Sequence, residues 1–197
     1  MKYQPKITLT SLLQSYIQNA FSSNSFIKIG SIQSFDKTDQ TATIKIMDKK
    51  PIYSLPTEPQ KIEDYPVLEK VPCHFLRFGQ GYVAAPPVQG DYCILLFCDH
   101  TLDYWWSTGG GQPNYTKKQH DLSDAIAIVG LGNSINPINA MANALVLCFN
   151  PNNSITIQNG QIAEKSPVIN QTASTSMTIT TPTLNVNGSL IVSTRLS

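Results

Sequence analysis

The chain has 197 residues and a formal net charge of +1, and charged side chains make up 14% of it, against roughly 25% in an average soluble protein. This balanced charge provides no strong field to attract nucleic acid or an anionic membrane, so we expect no specific nucleic-acid partner. The apolar runs are shorter than the ~20 residues of a membrane-spanning helix, and the amino-terminal residues lack the continuous apolar stretch of a secretory signal. We therefore expect the chain to stay in the cytosol after synthesis.

The first predicted element is an amphipathic helix within residues 1–25. Its apolar residues follow the i, i+3, i+4, i+7 spacing, and Thr8 or Thr10 is available as the N-cap. The polar face carries no Lys or Arg, so we expect the helix to pack on its own domain or on a neighbouring subunit rather than on a membrane. The apolar positions are Leu9, Leu12, Leu13, Tyr16, Ile17 and Ala20.

A small antiparallel barrel of about five strands is predicted over residues 26–131. The first two strands form a hairpin around the turn at residues 36–39. Residues 51–66 contain four prolines and are predicted to be an extended loop. Strands are predicted at residues 26–35, 41–47, 71–78 and 92–98, the last apolar on both faces and therefore central, with shorter elements at 122–131 and 140–149.

The last region, residues 152–197, differs in composition from the rest. It contains no aromatic residue, although the chain has 7 Phe, 8 Tyr and 2 Trp, and 21 of its 46 residues are Asn, Ser or Thr. Apolar and polar residues alternate in short runs, as at Ile155 and Ile157, which is typical of β-strands. One copy lacks the large side chains needed for a core. We predict an intertwined β-prism or β-helix stalk shared by several copies, with a flexible tail as the alternative.

Cysteine and histidine residues of the barrel region are candidate metal ligands. Cys93 and Cys98 are five residues apart on a predicted strand, so they point to opposite faces. Only Cys98 and His100 share a face, and two ligands do not make a structural zinc site. We predict no metal site and no cofactor, and we expect the cysteines to be buried reduced thiols. The residues weighed as ligands are Cys73, His74, Cys93, Cys98 and His100, and the fourth cysteine is Cys148.

Residues 120–124 place His120, Asp121 and Asp124 close together in the sequence. Catalytic triads are assembled by folding rather than by adjacency, and no Gly-x-Ser-x-Gly turn is present. We interpret the group as a capping and hydrogen-bond cluster that fixes the chain as it leaves the barrel, and we expect no enzyme activity.

The aromatic pair Trp105 and Trp106 would suit a stacking platform for single-stranded nucleic acid. Such platforms carry Lys and Arg between the aromatic residues, and here only Lys117 and Lys118 are near. We therefore expect Trp106 to pack in the core or against another subunit.

Short phrases follow one another in a fixed order within residues 5–131. The phrases are GSIQSFD at residues 30–36, QTATI at 40–44, PV at 66–67, GDYCILLF at 90–97, LDYWW at 102–106, HDLSDA at 120–125 and AIVGL at 127–131. Gly90 and Asp91 open one phrase, Trp106 closes another, and His120, Asp121 and Asp124 belong to a later one. The ordered series resembles the central spike proteins of contractile-tailed phages, in which that later phrase closes the barrel. We treat these six residues as a structural signature of the barrel.

The resemblance implies an amino-terminal OB-fold barrel joined to a homotrimeric β-helical needle. It divides the chain into an amino-terminal helix (1–25), the barrel (26–131), a connector (132–151) and the spike (152–197). In that family the barrel seats the spike on a baseplate hub protein, and the needle pierces the host envelope when the sheath contracts. The expected location is the tail baseplate of a virion, or of a related contractile injection particle, after synthesis in the bacterial cytoplasm.

The end of the needle departs from the family pattern, since longer members hold iron there through histidines. No histidine follows His120, and the oxygens of Ser193 and Thr194 are poor ligands for iron or zinc. We therefore expect a metal-free end that carries a separate tip protein. The alternative function is a barrel that binds oligonucleotides or saccharides and carries a flexible Ser/Thr/Asn-rich tail.

Overall fold

The computed structural model describes residues 8–10, 12–14, 16–17, 26–52, 61–111, 118–138 and 140–192. The chain divides into two compact units, Met1–Ile138 and Asn139–Ser197. Several predictions lie wholly or partly outside the described residues. They are the full extent of the amino-terminal helix, the middle of the proline-rich segment at 53–60, and the predicted tip at 193–197.

The amino-terminal residues are helical wherever they are described between positions 9 and 17. The Leu12 N–H donates a hydrogen bond to the Thr8 carbonyl at 3.0 Å. The prediction of a helix is confirmed for these residues. Its apolar side chains are exposed, and Leu9 and Tyr16 are 77% and 74% accessible. Packing of this face on its own domain is therefore not found.

The first unit holds nine strands and one short helix among its described residues after position 26. The strands are β1 (Ile27–Asp36), β2 (Thr41–Ile46), β3 (Lys49–Ile52), β4 (Lys61–Asp64), β5 (Leu68–His74), β6 (Leu76–Phe78), β7 (Gly81–Val83), β8 (Tyr92–Phe97) and β9 (Ala125–Leu131), and the helix is α1 (Asp103–Thr108).

Five of these strands close into a barrel in the order β1-β2-β5-β9-β8. Neighbouring strands are antiparallel except β5 and β9, which run parallel with Cys73 opposite Ala127. This is an OB-like barrel, and it confirms a mainly β fold with about five barrel strands. The pairing of β1 and β2 confirms the predicted hairpin, with its turn at residues 37–40 rather than 36–39. Closure gives β8 a neighbour on each side, as its two apolar faces predicted.

The core fills the inside of the barrel. Ile32, Ile44 and Leu95 are fully buried, and inward residues of each strand alternate with exposed or half-buried ones. At Gly30 the strands approach so closely that an added Cβ would lie 2.5 Å from Ile44 Cγ2 and 2.9 Å from Cys93 Sγ. A glycine is therefore required there by space rather than by turn geometry.

Two hairpins correct the sequence prediction. The proline-rich segment 51–66 is not all loop, because β3 and β4 pair antiparallel with Pro51 opposite Ile62. A two-stranded ribbon tolerates this proline because its strands have open edges. The strand predicted at 71–78 breaks at Phe75, where the chain leaves the barrel and forms the small hairpin of β6 and β7.

The second unit begins with a three-stranded antiparallel meander. Its strands are β10 (Ala144–Asn150), β11 (Asn153–Gln158) and β12 (Gln161–Lys165), in that order in the sheet. The alternation at Ile155 and Ile157 is confirmed as strand. Both residues are partly exposed, at 39% and 43%, and no described residue of this unit is buried. The meander therefore has no closed core within a single chain.

Residues 166–192 are described but belong to no strand or helix, and every one of them is exposed. Strands need a neighbouring strand to satisfy their backbone groups, and this stretch has none in the single chain. Within the described residues 152–192, one copy therefore shows only β11 and β12 of the predicted stalk. The exposed apolar residues here are Val168, Ile169, Met177, Ile179, Leu184, Val186, Leu190, Ile191 and Val192.

Candidate docking groove

Helix α1 carries both tryptophans of the chain on the outside of the barrel. Asp103 in its first turn suits the positive helix N-terminus. Gly109 ends the helix in the left-handed conformation, with its N–H donating to the Trp105 carbonyl at 2.8 Å. The rings of Trp105 and Trp106 lie with centroids 6.0 Å apart, tilted by 52°. This short helix of 6 residues therefore presents a compact aromatic surface.

Asp124 connects α1 to the barrel. Its carboxylate is buried, at 2% exposure, and Oδ1 accepts a hydrogen bond from the Leu102 N–H at 3.1 Å. Leu102 is the N-cap residue of α1, and its own side chain makes no cap. The Asp124 carbonyl accepts from the Cys98 N–H at 2.9 Å. One residue at the start of β9 therefore holds both ends of the segment that follows β8.

His120 and Asp121 belong to the same cluster. The His120 N–H donates to the Cys98 carbonyl at 3.1 Å, and its Nδ1 lies 3.2 Å from the Phe97 carbonyl. Its Nε2 lies 3.6 Å from the exposed Asp99 carboxylate. The cluster thus fixes the chain where it enters β9, the last barrel strand, rather than where it leaves the barrel.

Asp121 closes a tight turn with Ser123. Its Oδ1 accepts from the Ser123 N–H at 2.9 Å and from the Ser123 hydroxyl at 2.7 Å. These donors hold the pKa of the Asp121 carboxyl below its usual range. The ionised carboxylate therefore supports the loop that positions Asp124.

Gly90 and Asp91 directly precede β8, at the end of the strand opposite to Cys98. Gly90 has φ of +94° and donates its N–H to the Ile32 carbonyl at 2.9 Å. Asp91 Oδ2 accepts from the Val88 N–H at 2.8 Å, and its carbonyl accepts from the Ile32 N–H. The pair aligns β8 with the bulged part of β1. Five of the six signature residues thus lie just before β8 or β9, whereas the sixth, Trp106, lies in α1.

A groove of about 720 Å³ lies between the β1–β2 turn, the β6–β7 hairpin and α1. Phe35 and Phe75 meet edge to face at a centroid distance of 6.0 Å. Trp106 lines the groove and is 41% exposed, so it does not pack in the core of a single chain, and the alternative of a contact with another subunit stays a prediction. Lys117 is near the tryptophans in the sequence, but it lies outside the described residues. The groove's side chains include Phe35, Phe75, Tyr82, Trp105 and Trp106.

Two cations, Lys37 and Arg77, border the groove. Neither forms an ion pair within the described chain, and no described residue that lines the groove is a carboxylate. Sequence reasoning missed this site because its walls come from three distant segments. The one local signal was the Gly79 and Gly81 turn flanked by Phe78 and Tyr82, which is a hairpin pattern with aromatic residues on both strands.

The thiols of the barrel are poor nucleophiles. Burial raises the pKa of Cys73 to about 12, with a smaller contribution from nearby Cys93, and burial raises the pKa of Cys93 to about 11. Cys98 is half-buried, also with a raised pKa. All four cysteines are free, and Cys148 is exposed, which corrects the expectation that every thiol is buried. It lies on β10, whose faces are largely open in a single chain.

In the described part of the chain, no three His, Cys, Asp or Glu residues are placed to hold a metal ion together. Among the same residues, no helix has the length and apolar character required to span a bilayer.

The fold and the groove define a small OB-like β-barrel protein with an aromatic surface on one side. Residues 29–130 match the family described as the phage protein Gp138 N-terminal domain. The match covers more than half of the 197 residues, and the chain belongs to this family. Its limits fall inside β1 and β9, so the family domain is the barrel itself. Membership supports a phage structural protein, associated with the virion. No curated protein matches the chain.

Proposed function

We propose that this chain is the central spike of a contractile tail, with the barrel on the baseplate hub and the second unit forming a homotrimeric shaft. The observation that carries the proposal is the exposed stretch 166–192, which alternates apolar and polar residues in short runs yet forms no strand with any described part of its own chain. A flexible tail would not need apolar side chains at regular positions, since these are a liability when left in water.

Three copies would supply what one copy lacks. Met177 and Ile179, and likewise Leu184 and Val186, are two residues apart and so lie on one face of an extended chain. Three such faces can meet around a common axis while Thr and Asn point outward. The backbone groups of each copy then pair with those of its neighbours. The meander of β10 to β12 would begin this shaft, because its own sheet also lacks a covered face.

The barrel side of the proposal concerns the hub. The β6–β7 hairpin presents Leu76, Phe78 and Val83, which are 54%, 72% and 58% exposed. A cluster of exposed apolar side chains on a short hairpin is typical of a protein–protein contact. We place the hub contact there. The spike acts mechanically and without catalysis, it meets the host envelope only transiently, and a separate tip protein completes its end.

The groove favours a second candidate function, a barrel that binds oligonucleotides or saccharides. Its aromatic walls and the cations Lys37 and Arg77 suit an anionic ligand with flat faces. Two cations are few for such a role, and this function leaves the apolar pattern of residues 166–192 without a purpose. The spike therefore accounts for more of the molecule.

Light scattering of the full chain tests the two functions against each other. The spike requires a mass of three copies, independent of concentration, whereas the binding barrel requires none in particular. A chain shortened after Lys165 keeps the meander intact and should lose the trimer. If the full chain is a trimer and the shortened chain is still a trimer, the shaft assignment is wrong.

A further inference from the structure

The first unit has two exposed apolar surfaces among its described residues. One is the amino-terminal helix, where Leu9, Leu13, Tyr16 and Ile17 are each more than half exposed. The other is the aromatic groove beside α1, where Trp106 and Tyr82 are 41% and 73% exposed. The chain carries one of each, so every groove in an assembly has one helix available.

The helix has the pattern of a groove-binding segment. Leu9, Leu12, Leu13 and Tyr16 occupy positions i, i+3, i+4 and i+7, the spacing with which amphipathic helices insert into apolar grooves. The groove's volume of about 720 Å³ lies within the roughly 300–1,000 Å³ of sites that enclose a ligand of several apolar groups. It is therefore large enough for the apolar edge of two helical turns.

Charge sets the direction of the helix. Lys2 and Lys6 precede it, and no charged residue occurs from position 7 to 27. Lys37 and Arg77 border the groove and make no ion pair within the described chain. A helix carries partial negative charge at its carboxyl end, so this end is favoured next to the two cations and the lysine-bearing end away from them.

We propose that the amino-terminal helix of one copy lies in the aromatic groove of a neighbouring copy. Within a single chain both surfaces stay exposed, so the cover comes from another copy. Ile17 and Ile27 are ten positions apart in the sequence and can be separated by at most ~36 Å, which permits exchange between adjacent barrels. The exchange rests on the trimer of the proposed function, and it would tie the barrels of the assembly to one another.

Tryptophan fluorescence of the full chain tests this contact, since both tryptophans lie on the groove. Leu13→Asp introduces a charge on the apolar face of the helix. It should shift the emission to the red and strengthen quenching by acrylamide. Gln14→Asp introduces the same charge on the polar face and should change neither. Ile17→Asp, a second variant on the apolar face, should repeat the effect of Leu13→Asp. None of these three positions belongs to the barrel core, so the barrel should keep its fold.

A mixed assembly distinguishes exchange between copies from docking within one copy. Chains with Leu13→Asp and intact tryptophans are co-expressed with chains that have an intact helix but carry Trp105→Phe and Trp106→Phe. Helices of the second type should cover grooves of the first, and part of the red shift should be reversed. No reversal would overturn exchange between copies.

The mass of each assembly, measured by light scattering, keeps this inference separate from the spike itself. A trimer whose emission is unaffected by Leu13→Asp and Ile17→Asp would overturn the docking while leaving the spike intact. An assembly of another size that still shows the shift and its reversal would overturn the trimer only. If the variants have no effect and an oligosaccharide or oligonucleotide quenches the tryptophans, the groove belongs to a different ligand, and the proposal is wrong.

Discussion

The two units of this chain reach their structure in opposite ways. The barrel encloses a core within one copy, and every buried residue of the described chain lies between Gly30 and Ala127. The second unit has a sheet but no buried residue, and its last described 27 residues have no strand partner. Residues 152–197, which contain no aromatic residue, cannot offset the entropy of ordering by themselves. The barrel is therefore complete as a single copy, whereas the described part of the second unit has no core of its own.

The largest effect should come from a charge on the apolar face of the second unit. Ile179→Asp would place three carboxylates near the axis of the proposed shaft, where their burial is strongly unfavourable. We expect loss of the trimer and of its slow unfolding, measured by light scattering and by resistance to detergent. Thr178→Asp carries the same charge on the outward face and should leave both properties unchanged. Equal behaviour of the two variants would remove the distinction between the units.

A cavity in the barrel core should destabilise the barrel whether or not the copies assemble. Leu95 is fully buried, and we expect Leu95→Ala to lower the free energy of unfolding by about 2–5 kcal/mol. Because this core belongs to one copy, the loss should not depend on protein concentration in urea unfolding. Leu96→Ala, at the neighbouring half-buried position, is the control and should cost clearly less. A concentration-dependent loss for Leu95→Ala would mean that the barrel is not complete in one copy.

An added methyl group at Gly30 should disturb the barrel from the inside. The new Cβ would lie within 3.0 Å of the Ile44 and Cys93 side chains, so we expect Gly30→Ala to cost about 1–3 kcal/mol, the usual range for overpacking. Gly132→Ala is the matched control, because its Cβ would meet only ordinary contacts at 3.6 Å. Thermal unfolding of the two variants provides the comparison, and similar melting temperatures would contradict the close approach.

Removal of the Asp124 carboxylate should release α1 from the barrel. Asp124→Ala leaves the Leu102 N–H without its partner, at an expected cost of about 1–3 kcal/mol. The near-ultraviolet circular dichroism of the tryptophans should weaken as well, since α1 carries both. Asp99→Ala removes a neighbouring carboxylate that is exposed, and it should have little effect on either measurement. An unchanged tryptophan signal in Asp124→Ala would mean that other contacts hold α1.

The smallest effect should be the acid dependence of the turn at Asp121. Since its pKa is lowered in the folded chain, the ionised carboxylate contributes stability above the ordinary value of about 3.9. That contribution is lost as the pH falls through the lower pKa of the folded state. Asp121→Asn should therefore reduce the drop in melting temperature between pH 6 and pH 3. Asp39→Asn is the control, and an identical drop in both variants would contradict this role.

The sequence by itself determined the elements whose signals are local. The β1–β2 hairpin, the two-faced apolar strand β8 and the amino-terminal helix follow from period and turn residues within a few positions. The change in composition after Phe149 likewise indicated a region that cannot form its own core. The order of phrases also indicated the phage family, since their spacing reflects the order of the barrel strands.

Only the tertiary structure decided which distant residues meet. The parallel pairing of β5 with β9 closes the barrel, and it depends on segments more than 50 residues apart. The exposure of Trp106 depends on where α1 sits against the barrel, which follows from the bond between Asp124 and Leu102. The sequence shows whether a side chain is apolar, whereas its burial depends on which other segments of the chain pack over it. For that reason Trp106 and Cys148 are exposed, although both are residue types that often lie in a core.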